Sequence, residues 1–167
     1  MVCGNTHLIL HRDSFSFSQA RCRFYIFSVI CESPQAQSRG WVFVISIRGC
    51  QPFQHFSRAH TRGIQAILAC FPTHIAVIHA VMDHHHEIMT RMMVPMVKFM
   101  YGRDWRQRFI LHSGHDRKVL QELAEYGLYK DGLHREIGGT LEDDIFDDWL
   151  RERRVIEEEE SPLGESK

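Results

Sequence analysis

With 167 residues, 44% of them apolar and 25% charged, the chain has the length and composition of one globular domain with a tail. No apolar run approaches the ~18–20 residues of a membrane-spanning helix, and no basic segment followed by a long apolar stretch opens the chain, so neither a span nor a secretory signal is expected. The net charge of −1 conceals an asymmetry: residues 142–167 carry eleven acids and four bases, while residues 1–141 carry ten acids and sixteen bases. A basic body with an acidic tail suits an anionic surface or headgroup.

His7–His11 (HLILH) is a short apolar run and a plausible first strand. Ser14–Gln19 mixes serine with phenylalanine and reads as a connection. Arg23–Ile30 (RFYIFSVI) is apolar enough for a buried helix or strand, and its period does not choose between them. Cys31–Gly40 has the Ser, Pro, Gln and Gly content of a loop. Trp41–Ile47 (WVFVISI) is β-branched and aromatic, as in a central parallel strand that is apolar on both faces. From Phe53 to Phe71, apolar residues recur at three-to-four spacing, which predicts an amphipathic helix with Arg58 and Arg62 toward water, ended by Pro72.

Ile75–Val81 (IAVIHAV) predicts a second buried strand, Asp83–His86 a turn, and Ile88–Met100 a second helix. Arg103–Arg108 is a basic loop, Phe109–His112 a third strand and Val119–Tyr126 a short helix. Strands alternating with helices imply right-handed crossovers and a parallel sheet, an α/β class. In the tail, Ile145, Phe146, Trp149 and Leu150 form one apolar stripe before the Glu157–Glu160 run. A short helix docking on the body is expected, with a disordered end after Ser161.

The five cysteines are widely and irregularly spaced with no CxxC pair, so buried, reduced thiols are expected rather than a zinc ribbon or redox dithiol. His84-His85-His86, with His79, His112 and His115, invites a metal reading, but adjacent histidines in a turn diverge and no HExxH accompanies them. No GxSxG elbow, Walker loop or GxGxxG occurs, and His112-Ser113-Gly114-His115 lacks the glycine that an elbow needs before its serine. The expectation is a protein that is not an enzyme and has no cofactor or metal. A nucleic-acid partner is not expected either, because the basic residues are not interleaved with aromatics on a known motif.

Several anchors stand in a shared order. Gly40–Gly49 is a glycine-led strand closing on a polar residue and glycine; Phe71-Pro72 closes a helix before Ile75–Asp83. Lys98-Phe99-Met100-Tyr101 ends the next helix, and Phe109–His112 precedes Glu136-Ile137-Gly138-Gly139-Thr140. In this order they resemble the CRAL-TRIO lipid-binding domain, the module of phosphatidylinositol transfer proteins and of tocopherol and retinaldehyde carriers. With His7–Arg12 as the first strand, the likeness covers about 140 residues, so residues 1–140 are expected to form the domain and 141–167 the acidic tail. The helical subdomain that usually precedes the module has no counterpart here, which implies a minimal version or an incomplete N-terminus.

Departures are Asp83 for the usual asparagine, Ser46 where many members carry aspartate, and Phe99 for the motif proline. Thr73 and Arg108 stand where phosphatidylinositol-transferring members use glutamate and lysine. The missing acid speaks against specificity for phosphatidylinositol.

The resemblance implies a mostly parallel β-sheet flanked by helices, with a mobile helix covering a hydrophobic pocket. Its function would be non-covalent binding and intermembrane transfer of a phospholipid or isoprenoid-like ligand. The expected pocket residues are Val42, Val44, Ile75, Val77, His79, Ile88, Met92, Met93, Met96, Phe99 and Met100. Five of the seven methionines fall between 89 and 100; an ordinary core helix would also explain them, whereas a flexible thioether wall adapts to varied ligands. Lys98, Arg103, Arg106, Arg108, Arg117 and Lys118 are the expected headgroup or membrane contacts, each worth ~1 kcal/mol beside an anionic bilayer. The location implied is cytoplasmic with transient, peripheral membrane association. The alternative is a phosphoinositide- or partner-docking regulatory module without lipid transfer.

Overall fold

The computed structural model describes residues 17–49, 58–72, 74–82, 95, 107–142 and 144–160. Helix α1 (Phe17–Cys31) starts inside the stretch expected to be a connection and settles the ambiguous apolar run as helix. Its buried residues Arg23, Ile26, Phe27 and Cys31 fall three and four apart, a spacing that only a helix places on one side. The expected loop after it contains a short helix, α2 (Pro34–Arg39), with Ser33 as N-cap and Pro34 in the first turn, where its missing N–H costs nothing. Gly40 follows with φ +77°, and a Cβ there would lie 2.6 Å from the His74 carbonyl oxygen. That close approach lets Trp41 N–H donate to the same carbonyl at 3.1 Å and sets the start of the sheet.

Three parallel strands, β1 (Trp41–Ser46), β2 (Ile75–Met82) and β3 (Phe109–Ser113), lie in the order β1–β2–β3. Helix α3 (Arg58–Leu68) lies between β1 and β2 in the chain, and α4 (Asp116–Glu125) follows β3. The α/β class and the parallel sheet flanked by helices are those expected. Helix α3 ends at Leu68, ahead of Pro72, through a turn at Ala69 and Cys70. The proposed strand at 7–11, residues 53–57 of the third helix and the methionine-rich segment 88–100 apart from Pro95 lie outside the described residues.

The central strand is covered on both faces. On one, Trp41, Phe43, Ile75 and Ile78 cluster with Ile26, Phe27 and Cys31 of α1, and Ile67, Leu68 and Phe71 pack at the edge. Phe27 meets Trp41 and Phe43 edge-on at ring separations of 4.9 and 5.8 Å, the aromatic geometry that adds to area burial. On the other face, Val44 and Val81 pack under Val119 and Leu123 of α4, with Leu128, Leu133 and Ile137. Each of these fully buried leucines contributes ~1.5–3 kcal/mol of apolar transfer.

A register irregularity decides which face Ile75 joins. Trp41 pairs with Ile75 but Val42 pairs with Val77, so Ala76 is an extra residue on β2. Strict alternation would put Ile75 with Val77 and His79; the bulge turns it instead into the α1 cluster.

After α4 the chain forms two 3-10 turns, Lys130–Gly132 and Arg135–Ile137, closed by a bridge between His134 and Leu141. The Gly138-Gly139 pair makes this possible. Gly138 has φ +88°, and a Cβ on Gly139 would sit 1.8 Å from the Leu133 carbonyl oxygen.

The tail helix docks on the body as expected but is longer. Helix α5 (Asp144–Glu160) is long, and the acidic run is part of it. Trp149 packs on the α1 cluster, while Ile145 and Phe146 of the expected stripe are 45% and 42% exposed. Two polar contacts complete the docking: Arg153 donates to both oxygens of Glu32 at 2.9 and 3.1 Å, and the Tyr25 hydroxyl donates to Glu157 at 2.7 Å. No helix among the described residues is long and apolar enough to cross a membrane.

Candidate functional site

The α4-side face of the sheet carries the expected pocket residues Val42, Val44, Val77 and His79. Val42 pairs with Val77, Val44 with His79, and His79 with Ile110. Helix α4 and the turns after it bury Val44 and Val81. Val42, Val77 and Ile110, nearer the starts of the strands, are only partly buried. Ile75 is not with them, for the reason given above. Ile88, Met92, Met93, Met96, Phe99 and Met100, the expected opposite wall, lie outside the described residues.

At the border between the covered and partly covered halves lies a polar chain. Val81 pairs with His112 and His79 with Ile110, so His79 and His112 are diagonal neighbours on one face. His79 Nδ1 is 2.8 Å from His112 Nε2, and His112 Nδ1 is 2.9 Å from Glu122 Oε2 on α4. The two rings stack at 5.1 Å, and the edge of Tyr126 meets His79 at 4.6 Å. Both imidazoles are buried, and His79 Nε2 has no hydrogen-bond partner among the described residues. Burial, reinforced by the neighbouring His112 charge, pushes the His79 pKa down to about 4. Lys118 Nζ stands 3.5 Å from Glu122 Oε1, one helical turn away.

Among the described residues, the expected basic contacts do not converge. Arg108 precedes β3 and its guanidinium donates to the Ile75 carbonyl, so it serves the sheet backbone. Arg117 and Lys118 belong to the first turns of α4, beyond the other end of β3, and Lys118 also donates to the Ser113 carbonyl at 3.2 Å. Lys98, Arg103 and Arg106 lie outside the described residues. A residue that sequence reading passed over does join elements: Arg48, after β1, is 2.8 Å from Asp116 and donates to the Glu136 carbonyl at 2.7 Å.

Among the described residues no group of three or more His, Cys, Asp or Glu side chains is arranged to hold a metal ion; His84–His86 lie outside them. His79, His112 and Glu122 are joined in series rather than converging on a point. Cys22, Cys31 and Cys70 are free thiols, and burial pushes the Cys31 thiol up, away from the reactive thiolate.

Three parallel strands with helices packed on both faces define a parallel α/β domain. Residues 2–146 match the model of the divergent CRAL/TRIO domain, and the chain belongs to that family. In general terms this is a family of hydrophobic-ligand binding and transfer. Comparison with curated protein sequences finds no match.

Proposed function

We propose that the chain binds a phospholipid or isoprenoid-like molecule non-covalently and carries it between membranes without altering it chemically. The observation that carries this reading is the division of one sheet face. Val44 and Val81 lie under α4 with Val42 packed at the edge of that cluster, while Val77 and Ile110 stay partly buried beside them. Apolar side chains left at a boundary of this kind gain ~25 cal/mol for every Å² that a guest covers, and each methylene of the guest gains ~0.8 kcal/mol. Peripheral contact with a cytoplasmic leaflet would let the guest enter and leave, with exposed Arg117 near the bilayer.

The test is capture. Intact protein is incubated with phosphatidylcholine vesicles containing minor neutral and anionic lipids, re-isolated, extracted and analysed by mass spectrometry. A stoichiometric lipid, retained from expression or acquired from the vesicles, is the expected result. Protein that emerges lipid-free from both sources overturns the carrier reading. If it also binds anionic vesicles in a manner abolished by high salt, a docking module takes the carrier's place.

A further inference from the structure

The His79–His112–Glu122 chain has a direction. Glu122 as a carboxylate only accepts, so His112 Nδ1–H donates to it across 2.9 Å. Where the His112 ring is neutral, its Nε2 carries a lone pair, and the 2.8 Å contact then has His79 donating from Nδ1. Neutral His79 is then left with a lone pair on Nε2. That atom is buried and has no partner, in a residue of 0% exposure. A buried acceptor left unsatisfied costs ~1–3 kcal/mol, so this nitrogen points to a donor that the described residues do not supply. Beside it on the same face lie the partly buried Val42, Val77 and Ile110.

We propose that His79 Nε2 accepts a hydrogen bond from the hydroxyl group of an otherwise apolar ligand, so that the site selects alcohols over their ethers. This rests on the carrier reading and narrows its ligand class. Glu122 acts at one remove: it fixes the tautomer of His112, and His112 fixes that of His79, as in other carboxylate–imidazole chains where the outer group sets the proton position. An ester, ether or hydrocarbon at the same place brings no donor and leaves the nitrogen unpaired. Discrimination of this type exceeds what apolar contact achieves alone.

The experiment uses the full chain and phosphatidylcholine vesicles holding two matched pairs in equal amounts: dioleoylglycerol with its 3-O-methyl ether, and cholesterol with its methyl ether. Captured lipid is quantified by mass spectrometry. Enrichment of the alcohol by about tenfold is expected in at least one pair, reduced to near parity in His79→Leu, which keeps an apolar surface and removes the acceptor. Equal capture of alcohol and ether by the wild-type chain overturns this inference and leaves the carrier reading standing. Capture of none of the four overturns the inference, and an extract with no other lipid overturns the carrier reading with it.

A second measurement needs no variant. Nitrogen-15 correlation spectra of the wild-type histidines at neutral pH should place the His79 proton on Nδ1, and the Nε2 resonance should move when the favoured alcohol is added. A proton found on His79 Nε2 reverses the polarity and refutes the assignment.

Discussion

Burial of His79 makes a quantitative claim about acid sensitivity. The folded protein holds this imidazole neutral down to about pH 4, whereas an unfolded chain protonates it near 6.5. Between those values the unfolded state binds more protons, so stability falls as the pH drops; above 6.5 both states are neutral and the group has no effect. At about 1.4 kcal/mol per pH unit, this one residue removes about 2.5 kcal/mol between pH 7.5 and 4.5 and about 3 kcal/mol in the low-pH limit. Domains of this size are stable by only ~5–15 kcal/mol, so the loss is a sizeable share. The comparison that isolates it is urea denaturation of wild type and His79→Gln across that pH range. Glutamine is similar in length, offers an amide donor toward His112 and does not titrate. The variant should be less stable at pH 7.5 and lose less on acidification, so that the difference between the two curves closes by about 2.5 kcal/mol at pH 4.5. Carboxylates contribute equally to both proteins and cancel. Parallel curves would mean that His79 protonates in place, and the buried neutral ring would be refuted.

Other perturbations test the remaining parts of the fold. Leu123→Ala on α4, where the leucine is fully buried, should cost about 2–5 kcal/mol in urea denaturation; a loss under 1 kcal/mol would show that α4 does not seal the sheet. Gly139→Ala drives a Cβ into the Leu133 carbonyl, and should lower stability by more than about 2 kcal/mol while Thr140→Ala nearby changes it by under about 1. A double-mutant cycle of Glu32→Ala and Arg153→Ala should give a coupling of about 0.5–1 kcal/mol that shrinks in 1 M salt. No coupling would mean that α5 docks through Trp149 alone.

The elements that sequence reading placed best are those with one period and strong punctuation. Trp41–Ser46 and Ile75–Met82 are uninterrupted β-branched runs, and the Gly138-Gly139 pair marks a backbone approach that no side chain tolerates. Arg23–Ile30 stayed ambiguous because a run apolar on every side has no face to read. Only the neighbours it packs on, Trp41 and Phe43, distinguish helix from strand. The contacts of the tail helix were hidden for a related reason. Its stripe of Ile145, Phe146, Trp149 and Leu150 suggested an apolar seam, yet the docking depends on Trp149 and on Arg153 meeting Glu32, 121 residues away. No local pattern encodes a pairing at that separation.

The candidate site exposes the sharper limit. Val42, Val44, Val77 and His79 follow from strand alternation, but Ile75 obeys the same alternation and lies on the opposite face, because one extra residue, Ala76, changes the register. A bulge needs no glycine or proline and so leaves no mark in the sequence. The relay was equally hidden: His112 read as one of many histidines, and Glu122 carried no distinguishing mark. A signal was present in Val119-Leu120-Gln121-Glu122-Leu123, where Glu122 sits one residue from the buried Leu123 and one turn before Tyr126. An acid placed that close to a helix's apolar face is favourably matched by a donor on the surface beneath it, and the strand histidine ten residues earlier supplies one. Buried beside one carboxylate and one another, two imidazoles in series do not gather a cation; they carry the carboxylate's polarity inward and leave an acceptor where the sheet face turns apolar.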